Sequence, residues 1–525
     1  MNENSKRNAL VKGTALLTIA SLVAKILSAV YRIPFQNMVG NVGFYVYQQV
    51  YPIYGIAMTF ALSGLPVFIS KLVVDSKSEA DKLNVVHHIQ RSLMISCVII
   101  FIGLQIGAQQ IAFWMNDVRL SPVIASVSWM FLIVPFLASW RGYFQGHYMM
   151  KPTAYSQVLE QFVRVSVILV VAYWSVKMGM EPHRMGQFAM LSAPIATLMS
   201  AMVLFGFRRH AKVGKLPKLQ PIPGLSKRLL LEGITICLVA SVMLLLQLVD
   251  SFSVVANLLH IGANEIDAQN TKGIYDRAQT LVQLGLVITT ASTTAMLPQL
   301  VSTIREKQIN RYKRLARACI STNFGIACAM SAGMFSLMAA INPLLFATPE
   351  LSLTIAVYCL SVLVASMILV INTIFQSRDV YIPTIWAIGA AVLSKIILNH
   401  LLIRSQGIMG ASEATILSLL VAVVVMTVLG KQYLVGLVNW SQLSKLVGIS
   451  LIMWIVVLVT RNLTQSVLIG KIPFRADVAI QTLVGVVVGV IVFIGLALAF
   501  NALDEQEWSL IPMGEKINKI RGERK

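Results

Sequence analysis

Acidic residues are scarce in this chain. Its 525 residues include 22 Asp and Glu against 43 Lys and Arg, for a formal net charge of +21, and charged residues make up only 12% of the sequence. Soluble domains carry about twice that charged fraction. The composition therefore excludes an ordinary soluble domain.

Cysteine and histidine are also rare. The five cysteines form no CxxC pair and have no neighbouring histidines, and the seven histidines are scattered. Even His87 and His88 lack a partner at metal-ligand spacing, so we expect buried apolar cysteines and no metal site. The sequence has no P-loop, so we expect no cofactor and no ATP. Coupling to the membrane potential, Na⁺ or H⁺ stays open.

Hydrophobic residues make up 57% of the chain and occur in runs of twenty or more. Runs of that length are typical of transmembrane helices. We predict an all-α polytopic membrane protein with about fourteen spans, in which the first apolar run is retained as a helix rather than removed as a signal peptide. The predicted spans are 13–36, 44–70, 90–114, 122–148, 154–178, 186–207, 229–259, 275–301, 315–341, 352–377, 382–403, 410–434, 446–463 and 476–500.

Cations alternate in density from one loop to the next. The segments 208–228 and 305–317 and the tail 516–525 are rich in Lys and Arg, whereas the intervening loops carry few. By the positive-inside rule both termini are predicted to be cytoplasmic. The positive charge then reflects topology and contact with membrane lipids rather than nucleic-acid binding.

An internal repeat relates the two halves of the sequence. Phe144-Gln145, Pro152-Thr153 and Arg164 recur as Phe375-Gln376, Pro383-Thr384 and Lys395, all at an offset of 231 residues. Each half holds six spans, so the repeats are parallel and imply two lobes around a central cavity. The predicted regions are an N-lobe (1–209), a linker (210–228), a C-lobe (229–434), an extra helix pair (435–500) and a basic cytoplasmic tail (501–525).

Two cations stand within the first span. Lys25 and Arg32 are seven residues apart, which places them on one helix face together with Ser21 and Ser28. Charges at membrane depth usually face a wet cavity and mark a substrate or ion path. We therefore expect Lys25 and Arg32 to bind an anion, since no acid lies within a turn of either.

Other charges inside the spans allow more than one interpretation. Glu160 and Arg164 have the spacing of an intrahelical ion pair, and Arg141 either binds substrate or extends to the interface. Lys395 has no acid four residues away and is expected to face the cavity. Asp250 and Glu160 are the acidic candidates, and each either balances the positive charges of the spans or couples transport to a cation.

The opening segment AKILSAVYRIPFQNMVG (24–40), the YDR at 275–277, the two six-helix lobes and the extra pair resemble the multidrug/oligosaccharidyl-lipid/polysaccharide (MOP) exporter superfamily. Within it the likeness is to the lipid II flippases of the MurJ type, the stage V sporulation protein B group and the YabM-like polysaccharide transporters. This resemblance implies that Lys25, Arg32 and Arg277 line a cavity that receives a diphosphate, with a lipid-tail groove on the last two helices. The MurJ type also has an arginine in the second span, where this chain has no Lys or Arg before Lys71.

The resemblance and the charges favour a flippase that moves a polyprenyl diphosphate sugar, such as the cell-wall precursor lipid II, by alternating access. The proposed substrate-binding cations are Lys25, Arg32, Arg141, Arg164, Arg277 and Lys395. An alternative is a cation-coupled drug antiporter, which would need an acidic cavity. A membrane-embedded glycosyltransferase or polymerase would need reactive groups on an outer loop, and the longest, 260–272, offers only Glu265 and Asp267. We therefore expect no enzyme; a non-transporting scaffold stays open.

Overall fold

The computed structural model describes residues 3–211, 213–214, 219–468 and 470–509, and no strand occurs among them. Most of the predicted basic tail, from residue 510 onward, and residues 212 and 215–218 of the predicted linker lie outside the described residues. The chain forms two compact units, Met1–Gly273 and Ile274–Lys525. The predicted lobe boundaries are drawn from the repeat and stay a prediction.

Among its described residues, the first unit contains thirteen α-helices, and the last of them extends two residues beyond Gly273. In chain order they are α1 (Glu3–Val30), α2 (Arg32–Thr59), α3 (Leu65–Asp75), α4 (Glu79–Trp114), α5 (Ser121–Ser128), α6 (Val134–Gly146), α7 (Met150–Met178), α8 (Pro182–Met190), α9 (Ser192–His210), α10 (Leu225–Arg228), α11 (Ile234–Ala240), α12 (Val242–His260) and α13 (Glu265–Tyr275). Short 3-10 turns at Val118–Leu120 and Trp129–Leu132 and π-helical turns at Phe60–Gly64 and Leu229–Gly233 connect some of them.

The second unit contains the remaining helices. They are α14 (Arg277–Arg305), α15 (Ile309–Phe346), α16 (Ser352–Cys359), α17 (Ser361–Ser377), α18 (Ile382–Gln406), α19 (Ile408–Leu429), α20 (Lys431–Leu434), α21 (Trp440–Leu468), α22 (Phe474–Ala499) and α23 (Glu505–Ser509).

Local sequence sets many helix ends. Ser78 and Asp81 form a reciprocal capping box at the start of α4, which satisfies backbone N–H groups that have no partner inside the helix. Helix α7 ends at Gly179 in a left-handed conformation with φ of 60°, which glycine adopts without steric cost. Proline, whose fixed φ suits a first helical turn, stands at the start of five helices: Pro66, Pro122, Pro135, Pro182 and Pro383.

By length and composition, thirteen helical runs among the described residues could cross a membrane. This confirms the polytopic all-α class. The first run, Leu16–Asp75, covers most of the first predicted span and all of the second, which explains the difference from fourteen. Gly40, with φ of 72° and ψ of −177°, breaks the helical geometry there without ending the run.

Large apolar side chains point outward from several of these helices. Ile106 of α4 is 82% exposed and Leu483 of α22 is 66% exposed. Exposing so many aliphatic groups to water along one helix is unfavourable, whereas lipid tails solvate such groups. The exposure pattern therefore fits a protein whose outer surface lies in a bilayer.

The internal repeat is visible in the backbone. Tyr148, between α6 and α7, and Asp379, between α17 and α18, both have left-handed φ angles, 59° and 55°. Asn116 and Ala347, which follow α4 and α15, form a second such pair with φ of 59° and 66°. Both pairs are separated by the 231-residue offset found in the sequence. Non-glycine residues rarely adopt this conformation, so the coincidence confirms the repeat.

The extra pair α21 and α22 packs on α15. A methyl group added at Gly485 would lie 2.5 Å from the Leu337 side chain, so the small residue permits close helix packing. Beyond α22 the chain turns back, and the buried Glu507 of α23 accepts hydrogen bonds from Ser321, Gln442 and the backbone of Asp504. Burial raises the pKa of the Glu507 carboxyl above its usual range, in spite of these bonds.

Candidate anion-binding site

Arg32 begins α2 and is completely buried. The centre of its guanidinium lies 4.2 Å from the ring centroid of Tyr51, a cation–π contact. None of its three guanidinium nitrogens makes a hydrogen bond of ordinary distance and angle within the described part of the chain, although the Tyr31 hydroxyl lies close enough to interact with the guanidinium. A buried guanidinium whose N–H donors are unused is costly, and its natural complement is a group with several acceptor oxygens.

Arg164 of α7 lies against the same helix and is also completely buried. Its guanidinium donates to Gln161 Oε1 at 2.8 Å and to Ser28 Oγ at 3.0 Å. It also lies over the rings of Tyr31 and Tyr54, at 4.9 and 4.6 Å from their centroids. Arg164 therefore has neutral partners for its donors, unlike Arg32.

The aromatic side chains that meet the two arginines form a stripe on α2. Tyr47, Tyr51 and Tyr54 follow one another at spacings of four and three residues, which places them on one helix face. Their rings pack in sequence, with centroid distances of 6.2 and 5.5 Å, and the Tyr31 hydroxyl donates to that of Tyr47 at 3.0 Å. We call Arg32, Arg164, Tyr31, Tyr47, Tyr51 and Tyr54 the arginine–tyrosine cluster.

The sequence interpretation missed these tyrosines, although the segment YVYQQVYPIY (45–54) carries the signal. Tyrosine at helical spacing beside an intramembrane arginine indicates a cation–π surface. The second span has no basic residue before Lys71, but α7 brings Arg164 against its tyrosines.

Net positive charge distinguishes this cluster. Among the described residues, no carboxylate forms an ion pair with Arg32 or Arg164. Each cation–π contact contributes about 2 kcal/mol when desolvated, whereas the penalty for burying an ion is several kcal/mol. The cluster would thus gain stability from an anion.

Glu160 does not pair with Arg164, which corrects the proposed intrahelical ion pair. Its carboxylate lies 2.5 Å from Arg141, and both side chains are almost fully buried. Arg141 also donates to Ala61 O at 3.1 Å and to Ser200 Oγ at 2.7 Å, so it does not extend to the interface. Packing of α6 against α7 brings Arg141 to Glu160, and spacing along one helix cannot predict a contact between two helices. These bonds favour a structural role for Arg141, whose part in substrate binding stays a prediction.

The predicted polar stripe on α1 faces α7 only in part. The hydroxyl of Ser21 donates to Gln157 Oε1 at 3.0 Å, and Ser28 accepts from Arg164. Lys25, on the same stripe, is exposed. An exposed ammonium at membrane depth requires water or an anion nearby, which agrees with its predicted role without testing it.

The second unit holds the other two predicted cations. Lys395 of α18 is buried, and its ammonium donates to Ala411 O at 2.9 Å and Thr415 Oγ1 at 2.6 Å on α19. Arg277, at the start of α14, donates to Asn342 Oδ1 at 3.1 Å and Thr348 Oγ1 at 2.9 Å. These acceptors are neutral and belong to the second unit, and Glu350 adds an electrostatic interaction with Arg277. The expectation that all the cations line one cavity stays a prediction.

Asp250, the acidic candidate, is buried on α12 in the first unit. Within the described residues, no group of three or more His, Cys, Asp or Glu side chains could hold a metal ion. The five cysteines are free and buried, as their apolar surroundings predicted.

The fold is that of the MOP transporters. A solved structure of the lipid II flippase MurJ, in an inward closed conformation, matches with a TM-score of 0.68 and 13% identity over 93% of this chain and 98% of that one. An inward-facing multidrug resistance MATE family transporter of the MOP superfamily matches with a TM-score of 0.59 and 16% identity, over 80% and 95%. At such identities the likeness shows the fold alone.

The chain belongs to the polysaccharide biosynthesis protein family, whose model matches residues 10–304. The Bacillus subtilis (strain 168) protein named uncharacterized membrane protein YabM is 34% identical to it, over 98% of this chain and 97% of YabM. The predicted membership of the MOP superfamily is thereby confirmed, and these similar proteins are named as membrane proteins and transporters rather than enzymes.

Proposed function

We propose that this multi-pass membrane protein of the MOP type is a flippase for an anionic lipid-linked sugar. Its substrate would be a polyprenyl diphosphate oligosaccharide or a cell-wall precursor such as lipid II, moved across the bacterial cytoplasmic membrane by alternating access. Both termini would lie in the cytoplasm. The solved MurJ structure that shares this fold is that of a protein named a lipid II flippase, and this name supports the substrate class.

The buried guanidinium of Arg32 carries the proposal. It has a cation–π contact to Tyr51 but no hydrogen bond of ordinary distance and angle among the described residues. A diphosphate offers several charged acceptor oxygens, and one guanidinium can bind two of them at once through parallel N–H donors. Fixed cations can thus replace the hydration shell that the diphosphate loses on entering the membrane.

Charge also supports the direction of transport. An inside-negative potential favours outward movement of an anion by about 2.3 kcal/mol per charge per 100 mV. A lipophilic cation would instead meet the uncompensated charges of the arginine–tyrosine cluster, which disfavours the drug-antiporter alternative.

Reconstitution tests the proposal. The purified chain in liposomes should translocate a fluorescent undecaprenyl diphosphate sugar, and Arg32→Ala should abolish this transport. Lys25→Ala should also reduce it, whereas Lys25→Arg should retain part of the activity because the charge is kept. Arg91→Ala removes an exposed cation of α4 and serves as the matched control.

Competition separates the alternatives. Binding of the diphosphate lipid should weaken as salt rises, and ethidium should not compete. Normal transport by Arg32→Ala would refute the site, and export of ethidium without binding of the diphosphate lipid would establish the antiporter.

A further inference from the structure

We infer that Tyr51 is a positioning residue that holds the guanidinium of Arg32 for contact with the diphosphate. The inference rests on the proposed function and deepens it. Arg32 and Arg164 then have different roles in the arginine–tyrosine cluster. Tyr51 affects the affinity for the diphosphate although its side chain is uncharged and does not itself bind the anion.

The contact between Tyr51 and Arg32 determines which part of the guanidinium is available. The centre of the guanidinium lies 4.2 Å from the Tyr51 ring centroid, so the aromatic ring covers the cation without using its hydrogen bonds. The N–H donors of arginine point outward in the guanidinium plane. A cation–π contact therefore leaves them able to bind phosphate oxygens.

The ring of Tyr51 is itself held in place. It packs between Tyr47 and Tyr54, at centroid distances of 6.2 and 5.5 Å, and the residue is 4% exposed. Such packing restricts rotation of the ring, and Arg32 is completely buried beside it. The guanidinium is thus pre-organised, which reduces the entropy lost when an anion binds.

Arg164 provides the contrast. It too lies over tyrosine rings, but its donors already bind Gln161 and Ser28 at 2.8 and 3.0 Å. A phosphate would have to displace these partners. Arg164 therefore adds positive potential to the cluster, whereas Arg32 makes the direct contact.

The experiment measures binding of undecaprenyl diphosphate to the purified full chain in nanodiscs. Tyr51→Leu removes the ring and should weaken binding about tenfold, which corresponds to about 1.4 kcal/mol and is part of what a desolvated cation–π contact contributes. Tyr51→Phe keeps the ring and should stay within about threefold of the parent protein by the same reasoning. Tyr155→Leu removes an exposed tyrosine of α7 that stacks on Phe207 and lies outside the arginine–tyrosine cluster; it is the matched control and should leave binding unchanged.

A double variant separates positioning from a general structural effect. In an Arg32→Ala background, Tyr51→Leu should cause no further loss of binding, because the residue acts through Arg32. A further tenfold loss, or equal losses for Tyr51→Phe and Tyr51→Leu, would overturn the inference. Melting temperatures identify a misfolded variant, and if Tyr51→Leu does not fold, Tyr51→Met, which also lacks the ring, takes its place in the same comparison.

The outcomes also distinguish this inference from the proposed function. If Arg32→Ala binds undecaprenyl diphosphate normally, the proposed site is wrong. If Arg32→Ala loses binding but Tyr51→Leu retains it, the site stands and only the role of Tyr51 is refuted.

Discussion

The buried ion pair of Arg141 and Glu160 can be tested with a replacement that the chain itself supplies. At the 231-residue offset, the second unit has Asn372 and Ala391 at the equivalent positions, and both are buried. We predict that the double variant Arg141→Asn with Glu160→Ala is more stable than the single variant Arg141→Ala.

The magnitude follows from what each change leaves behind. Arg141→Ala leaves the carboxylate of Glu160 buried without its cation, which costs about 3–5 kcal/mol of unfolding free energy. It also removes a donor from the carbonyl of Ala61. Ser156 and Ser200 each lose a hydrogen bond from Arg141, but their hydroxyls still donate to backbone carbonyls at 2.9 and 3.1 Å.

Removing both charges avoids the unpaired carboxylate, so the two changes should be strongly non-additive. We expect a coupling free energy of about 2 kcal/mol or more in a double-mutant cycle built from Arg141→Asn, Glu160→Ala and their combination. Unfolding of the purified variants in a fixed detergent, followed by circular dichroism, measures this coupling. Additive effects would refute the ion-pair argument. Unchanged stability of Arg141→Ala with lost substrate binding would show instead that Arg141 is a ligand.

Three further predictions concern topology, pH and packing. A reporter fused after Arg209 should be cytoplasmic and one near Asn264 should be outside; the reverse would refute the assigned orientation. Because burial raises the pKa of Glu507 above its usual value of 4.5, its contribution to stability is fully present below that value and is lost as pH rises through the raised pKa. Rate-corrected hydrogen exchange of segment 502–508 should therefore increase with pH, and Glu507→Gln should remove this dependence. Gly410→Ala should destabilise the fold by about 1–3 kcal/mol, because the added methyl group would lie 2.2 Å from a backbone oxygen. Gly389 has open space around it, so Gly389→Ala should leave stability unchanged. Thermal unfolding of the two variants measures the difference.

The arginine–tyrosine cluster shows how far the sequence could predict the site. Helical spacing placed Ser21, Lys25, Ser28 and Arg32 on one stripe, because the period of a helix depends on local geometry alone. The same rule could have identified the tyrosine stripe of α2. It could not reveal that Arg32 is buried while Lys25 is exposed, since burial depends on which helices pack against that face.

The sequence by itself determined the membrane class, the approximate spans and the repeat. Each follows from composition or periodicity along the chain, and the paired left-handed residues Tyr148 and Asp379 repeat the offset already present in the letters. Tertiary structure alone decided that Glu160 pairs with Arg141 and that Arg164 meets the tyrosines of α2. The physical reason is that a charge within the membrane takes the partner brought closest by interhelical packing, and sequence separation does not determine that distance.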